Sequence, residues 1–436
     1  MYIILWLLLG IGHRLQVVAS LSLSEILILS FAPFIFMKYY AQMRKDGVMT
    51  FFILSIFVVI GCAVSSYINH THPALVLRGM ATTCLISCSI VFSHYLLRKN
   101  LNGFKWFLLG SAVSNILNVF IFQDTTEVYL YGGDVDLIME GPIFWIKRLG
   151  AIVMLPTMGW YLKTPYFVNI GAPLFMAIFS VITSSSGRAA ALVSLGFVTL
   201  VLFGGKSKQS MMRIARNFWK IAILSVVLIF GFHSGYHFLA INKILNEKSI
   251  EKYEAQTEGD KGILRLLIGG RGEAFIGLLA CRDNPIVGLG PWAEDTNGYT
   301  DEFFERFGTA ETYRKYYAAK LYRQKKGLYG YDRLDCHSHI TQFWAWFGIF
   351  GLFFWIYVLF VFVRYLKQDV FVVPQWYAWV ACSIPLFVWD ICFSPFHNRV
   401  GTPMVVVACL LARSIRMGRI PLQDDMIAEI KKIERR

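Results

Sequence analysis

Long stretches without a charged side chain recur along this sequence, and they restrict its fold more than any other feature. Phe51–Ala63, Ile221–Phe232 and Phe350–Val363 are uncharged and almost wholly apolar. With their flanks they approach the ~20 residues that an α-helix needs to cross the hydrocarbon of a bilayer. Hydrocarbon offers backbone amides no water, so only helices and closed barrels span it. A barrel strand alternates apolar and polar residues, and these runs do not. A large soluble helical core is the competing reading, and composition opposes it. Of the 436 residues, 16% are charged and 56% are hydrophobic, against roughly 25% charged in a soluble domain. The expectation is an all-α polytopic membrane protein.

The apolar pattern predicts about twelve transmembrane helices. They fall near 1–17, 20–37, 50–67, 74–96, 104–122, 142–162, 165–183, 189–204, 218–240, 340–363, 374–393 and 399–415. Met1–Gly12 lacks the basic start and small-residue cleavage site of a leader peptide, and reads as a first span that is short or partly re-entrant. Spans one to nine occupy 1–240, a large loop domain follows over 241–338, three more spans fill 339–415, and 416–436 is a tail.

Charge orients the spans. Arg44 and Lys45, then Arg98, Lys99 and Lys105, then Lys206, Lys208, Arg213 and Arg216, and finally Arg413, Arg416 and Arg419 make basic loops and a basic tail. Asp124, Glu127, Asp134, Asp136 and Glu140 make an acidic loop. Basic short loops stay on the cytoplasmic side. Strict alternation of the spans puts all the basic segments there, the acidic loop outside, and both termini in the cytoplasm. The net charge of +14 is thereby a matter of topology, and no nucleic-acid motif accompanies it.

The segment from about Ile241 to Cys336 is polar and lies outside by the same alternation. Its length predicts a small domain rather than a bare loop, with helices over Arg271–Arg282 and Asp301–Gln324 and a turn at Gly288, Gly290 and Pro291. Six of the eight cysteines fall in spans, where thiols act as small hydrophobes. Cys281 and Cys336 fall in the outer domain, where they either pair or stay free.

Outer loops of such a protein normally avoid basic residues, so the exceptions are informative. Arg188 follows Thr183-Ser184-Ser185-Ser186-Gly187, Arg271 follows a glycine pair, and His337 and His339 open the tenth span. His397 and Arg399 precede the twelfth, and Lys147 and Arg148 lie near the outer end of the sixth. Each alone is explained by snorkelling or ordinary packing. Together they crowd one side of the membrane. Guanidinium forks hold phosphate oxygens two at a time, and hydroxyls such as Ser186 near a helix start favour anions. An imidazole beside them can take a proton at neutral pH. The chemistry that fits is attack by a hydroxyl on a carbon that carries a phosphate or pyrophosphate.

His337-Ser338, nine residues, Gly348, two residues and Gly351 resemble the His-[Asn/Ser/Gln]-x9-Gly-x-x-Gly signature of O-antigen ligases. Arg188-Ala-Ala-Ala-Leu192 is similar to their Arg-x3-Leu motif, and Arg271 with Pro285-Ile-Val-Gly288-Leu-Gly290 resembles their second arginine and the segment after it. O-antigen and exopolysaccharide polymerases share that superfamily. The resemblance implies a metal-independent, cofactor-free glycosyltransferase in the bacterial inner membrane, with its active site on the periplasmic side. The donor would be a glycan on undecaprenyl pyrophosphate. The acceptor would be a lipid A-core sugar for a ligase, or another lipid-linked repeat for a polymerase. Arg188 and Arg271 would hold the pyrophosphate and His337 would orient or deprotonate the acceptor hydroxyl. His339 competes for that role, and Ser186, His339, Arg399 and Arg148 are the candidate substrate contacts. Two other classes stay open: a transporter or flippase, and a structural scaffold indifferent to loss of these side chains.

Overall fold

A computed structural model describes residues 2–12, 16–18, 21–120, 155–183, 196–197, 238, 241–242, 272–308, 334, 336–370, 372–396 and 399–421. Its described elements are helices, apart from one short antiparallel pair, β1 (Gln16–Val18) with β2 (Leu21–Ser22). The helices are α1 (Tyr2–Gly12), α2 (Leu23–Lys45), α3 (Met49–Ile68), α4 (Pro73–Lys99), α5 (Phe104–Phe120) and α6 (Tyr166–Thr183), followed by α7 (Gly272–Asp283) and α8 (Tyr299–Phe307). α9 (His339–Phe347), α10 (Ile349–Arg364), α11 (Tyr377–Phe393) and α12 (Gly401–Arg416) complete the set. Five helical segments are long and apolar enough to cross a membrane: Leu23–Lys45, Met49–Ile68, Pro73–Lys99, Ile349–Asp369 and Pro374–Phe393.

The side-chain distribution is that of a body surrounded by lipid. Phe34 and Met37 of α2, Phe57 and Ile60 of α3, Leu77 of α4 and Phe353 and Phe360 of α10 all point outward and are exposed. Hydroxyls and charges point inward: Ser55, Ser65, Thr83, Ser87, Ser89, Ser93, His94 and Asp46 are buried. Ser55 and Ser87 hydrogen-bond between α3 and α4 at 2.8 Å. A soluble protein would expel so large an apolar belt from water. Lipid accepts it, and polar contacts and close packing then hold the helices together. Gly10 and Gly110 show that packing, since a Cβ on Gly10 would lie 2.9 Å from Gly110 Cα.

Contacts at helix termini fix the direction of each helix. At one end, Ser24 Oγ donates to Leu9 O at 2.6 Å, joining the end of α1 to the start of α2. Arg399, just ahead of α12, meets Glu25 near the start of α2 with Nε 3.1 Å from Oε1. Asn69, which closes α3, donates to Gly288 O at 3.0 Å. The opposite end gathers around Asp46, which binds His94 at 2.8 Å and Arg98 at 3.0 Å, both from the last turns of α4. Ser414 of α12 donates to Asp46 O there, and Arg416 holds Asp369 at 2.7 Å. Thus α1 and α3 run toward the Glu25 end, whereas α2, α4, α10 and α12 run toward the Asp46 end. The basic loops and tail at Arg44, Arg98 and Arg416 fall at the Asp46 end.

Several sequence boundaries move. The first predicted span stops at Gly12, and 11 residues of helix fall short of the ~20 that cross a bilayer. The second starts at Leu23, where Ser22 and Glu25 cap it reciprocally (Ser22 N–H to Glu25 Oε2 at 2.8 Å, Glu25 N–H to Ser22 Oγ at 3.3 Å), and it runs past 37 to Lys45. The tenth is two helices, broken at Gly348. In the loop domain, α7 matches the expected first helix, but the second begins at Tyr299 and stops at Phe307. Asp295 caps it through the amides of Tyr299 and Thr300, at 2.7 and 2.8 Å, and extended Gly308 ends it. The remainder of that predicted helix, the start of the sixth span, and the spans near 189–204 and 218–240 apart from Gly196, Phe197 and Phe238 lie outside the described residues.

Candidate functional site

Two segments singled out by their residues meet through the backbone. Leu289 N–H donates to Ala345 O at 2.6 Å, Gly290 N–H to Trp346 O at 3.0 Å, and Ile349 N–H to Ile286 O at 3.0 Å. Trp344 Nε1–H adds a bond to Pro285 O at 2.9 Å. The Pro285–Gly290 stretch therefore lies along the α9–α10 junction. Glycines make the approach feasible. Gly348 sits at φ 64°, ψ −149°, a region essentially reserved for glycine, and a Cβ there would collide with Ile286 O. Gly351 lies against Phe343 O, so α10 can fold back along α9. The spacing of the His-x10-Gly-x-x-Gly stretch is thus a folding requirement: the glycines aim α9, and α9 carries the histidine.

The start of α9 is pinned. Ser338 is fully buried, and its Oγ accepts the Thr341 N–H at 3.2 Å while donating to Ile391 O of α11 at 2.9 Å. An Asn is not needed there, because a hydroxyl already caps the helix and ties it to its neighbour. Helix α7 crosses this corner closely: a Cβ on Gly277 would lie 2.8 Å from Cys336 Sγ and 3.0 Å from Thr341 Oγ1. The crossing carries Glu273, in the first turn of α7, to His337. Glu273 Oε2 lies 3.6 Å from His337 Nδ1, and the two side chains are 41% and 33% exposed. That separation exceeds a hydrogen bond, and catalytic contacts commonly tighten only when substrate is bound.

His339 lies two residues on and is 1% exposed. Trp355 and Phe396 enclose its ring at centroid distances of 4.9 and 5.1 Å. Arg399 is also occupied, since it spans from the start of α12 to the buried Glu25. Phe396 is anchored nearby through its N–H to Gln342 Oε1 at 2.9 Å. The structure therefore brings His337, His339 and Arg399 to the same end of the bundle but exposes His337 far more than His339. Arg188, Arg271, Ser186 and Arg148 lie outside the described residues.

Sequence reasoning missed Glu273, the carboxylate that α7 brings beside His337. Its signal was present: an acidic residue in the first turn of a predicted helix, two residues beyond Arg271. It also missed Glu25 as the partner of Arg399. Beyond the corner, Arg282 grips Asp283 at 2.7 Å and Glu302 at 2.9 Å, joining α7 to α8. The Arg282 guanidinium holds both carboxyls below their usual range, and they in turn raise its own pKa. None of the eight cysteines is in a disulfide, and Cys281 and Cys336 are buried. Among the described residues no group of three or more His, Cys, Asp and Glu is arranged to hold a metal ion. Comparison with protein-family models, curated proteins and solved structures found no match to this chain.

Proposed function

We propose that this protein is a bacterial inner-membrane glycosyltransferase that moves a glycan from undecaprenyl pyrophosphate to an acceptor sugar hydroxyl, as an O-antigen ligase does. The observation that supports this most is the half-exposed His337 with Glu273 3.6 Å away, at a corner built from both glycine segments. The Glu25 end would face the periplasm, since the basic loops gather at the other end.

In this reading Glu273 steers Nδ1–H of His337, leaving Nε2 to face the acceptor. The acceptor oxygen attacks the anomeric carbon, the bond from that carbon to the pyrophosphate oxygen breaks, and Nε2 takes the hydroxyl proton. The products are the extended glycan and undecaprenyl pyrophosphate. Arg188 and Arg271 would neutralise the departing pyrophosphate; Arg271 immediately precedes Gly272, where the helix of Glu273 begins. Burial assigns His339 to packing, and the Glu25 pairing makes Arg399 a brace for the corner.

The test uses purified protein with a pyrophosphate-linked glycan in detergent. His337→Ala and Arg188→Lys should both lose transfer while still inserting and folding, because one ammonium does not reproduce a two-pronged grip. Wild-type turnover in both would remove the assignment. Transfer without any gradient excludes a transporter. The glycan profile of a deletion strain separates ligase from polymerase: polymerised chains left on the lipid carrier mark a ligase, single repeats a polymerase.

A further inference from the structure

At the Asp46 end, guanidinium groups outnumber the carboxylates described there. Arg364 closes α10, Arg413 and Arg416 lie in the last turn of α12, and Arg419 follows one turn later. Two of the arginines have defined acidic partners: Arg98 binds Asp46 at 3.0 Å, and Arg416 binds Asp369 at 2.7 Å while donating to Gln368 Oε1 at 3.2 Å. Arg364 and Arg413 feel the same Asp369, which Arg416 already grips, so three guanidinium groups share one carboxylate. They are half-buried on the neighbouring helices α10 and α12, near enough to repel each other, and Arg419 adds a further positive charge to Arg413. The Nε–H of Arg364 and the Nε–H of Arg413 are buried and meet no acceptor among the described residues. Arg419 reaches across to the α2–α3 turn, where its Nη1 would lie 3.9 Å from a Cβ on Gly47.

Burying a donor without an acceptor costs free energy, and doing so beside a like charge costs more. Such an arrangement suits a site whose anion comes from outside the chain. We propose that Arg364, Arg413 and Arg419 bind a phosphate group at this end of the bundle, remote from His337. Planar forks suit two phosphate oxygens at once. Exposed Phe360 and Val363 of α10 run up to Arg364, so an anionic phospholipid beside that apolar face is one source of the phosphate. A soluble phosphate is the other.

Melting of the purified full chain in nanodiscs tests this. The wild type and Arg413→Gln are compared in phosphatidylcholine alone, in phosphatidylcholine with phosphatidylglycerol, and in phosphatidylcholine with added inorganic phosphate. Phosphatidylglycerol should raise the wild-type melting temperature by at least about 2 °C, and the rise in Arg413→Gln should be less than half as large. In phosphatidylcholine alone Arg413→Gln should melt no lower than wild type, because a repulsion is removed. A rise with phosphatidylglycerol alone identifies a lipid headgroup, and one that inorganic phosphate reproduces identifies a soluble anion. Equal rises in both proteins, no rise with either phosphate source, or a lower melting temperature of Arg413→Gln in phosphatidylcholine alone overturns the proposal. Arg364→Gln is read by the same criteria if Arg413→Gln does not fold.

Discussion

His337 and His339 stand two residues apart, yet substitution should affect them in opposite ways. His337 precedes the α9 cap Ser338 and is one of the less buried residues of this corner, with Glu273 alongside. His337→Ala should therefore leave the melting temperature within about a degree of wild type and lower turnover by at least ~10²-fold, the usual scale for a lost general base. Glu273→Gln should lower turnover less than His337→Ala, because the imidazole stays and only the carboxylate that orients it is lost. His339 fills space between Trp355 and Phe396. His339→Ala should cost about 2–4 kcal/mol of stability through the cavity it opens, measured by thermal or denaturant unfolding, with transfer retained by the fraction that folds.

Breaks and anchors are decided between elements. Gly348 lets α9 end and α10 begin within one residue, at a backbone conformation a side chain does not tolerate and against Ile286 O. Gly348→Ala should destabilise by ~2–4 kcal/mol, combining strain with overpacking, whereas Gly171→Ala, with open space around its Cβ, should stabilise α6 slightly or do nothing. Equal melting temperatures for the two variants would mean that the junction bends freely. The position of these elements was largely legible in the sequence. α3 and α4 begin and end close to the limits of their apolar runs, and α7 was marked by the glycine pair before it and by Asn284-Pro285 after it. The break at Gly348 was hidden, because an apolar run contains no polar punctuation and hydropathy cannot distinguish one helix from two. The capping of α2 by Ser22 and Glu25 was a readable pattern that hydropathy outweighed. An acidic residue in the first turn of α7 was legible as such; that it faces His337 was not. The pairing depends on α7 crossing α9 at Gly277, a contact between residues far apart in the chain.

Across the whole molecule, two sets of polar contacts divide the described helices into a Glu25 end and an Asp46 end, and this division uses no hydropathy. Lys45, Arg98 and Arg416 fall together at the Asp46 end, and the His337 corner falls at the other. Labelling with a membrane-impermeant thiol reagent tests whether the two ends face different compartments. The native background should be low, since burial pushes the Cys281 thiol up to about 12 and a protonated thiol reacts poorly. Glu294→Cys, exposed near the His337 corner, should label in intact spheroplasts. Lys45→Cys, exposed in the last turn of α2, should label only after the membrane is opened. The order matters more than the rates. If Lys45→Cys labels first, the bundle is inverted and His337 faces the cytoplasm, where a nucleotide-linked donor would be the available substrate and the lipid-linked glycan reading fails. If both label together in sealed spheroplasts, the two ends share a compartment and the apolar belt does not cross the bilayer.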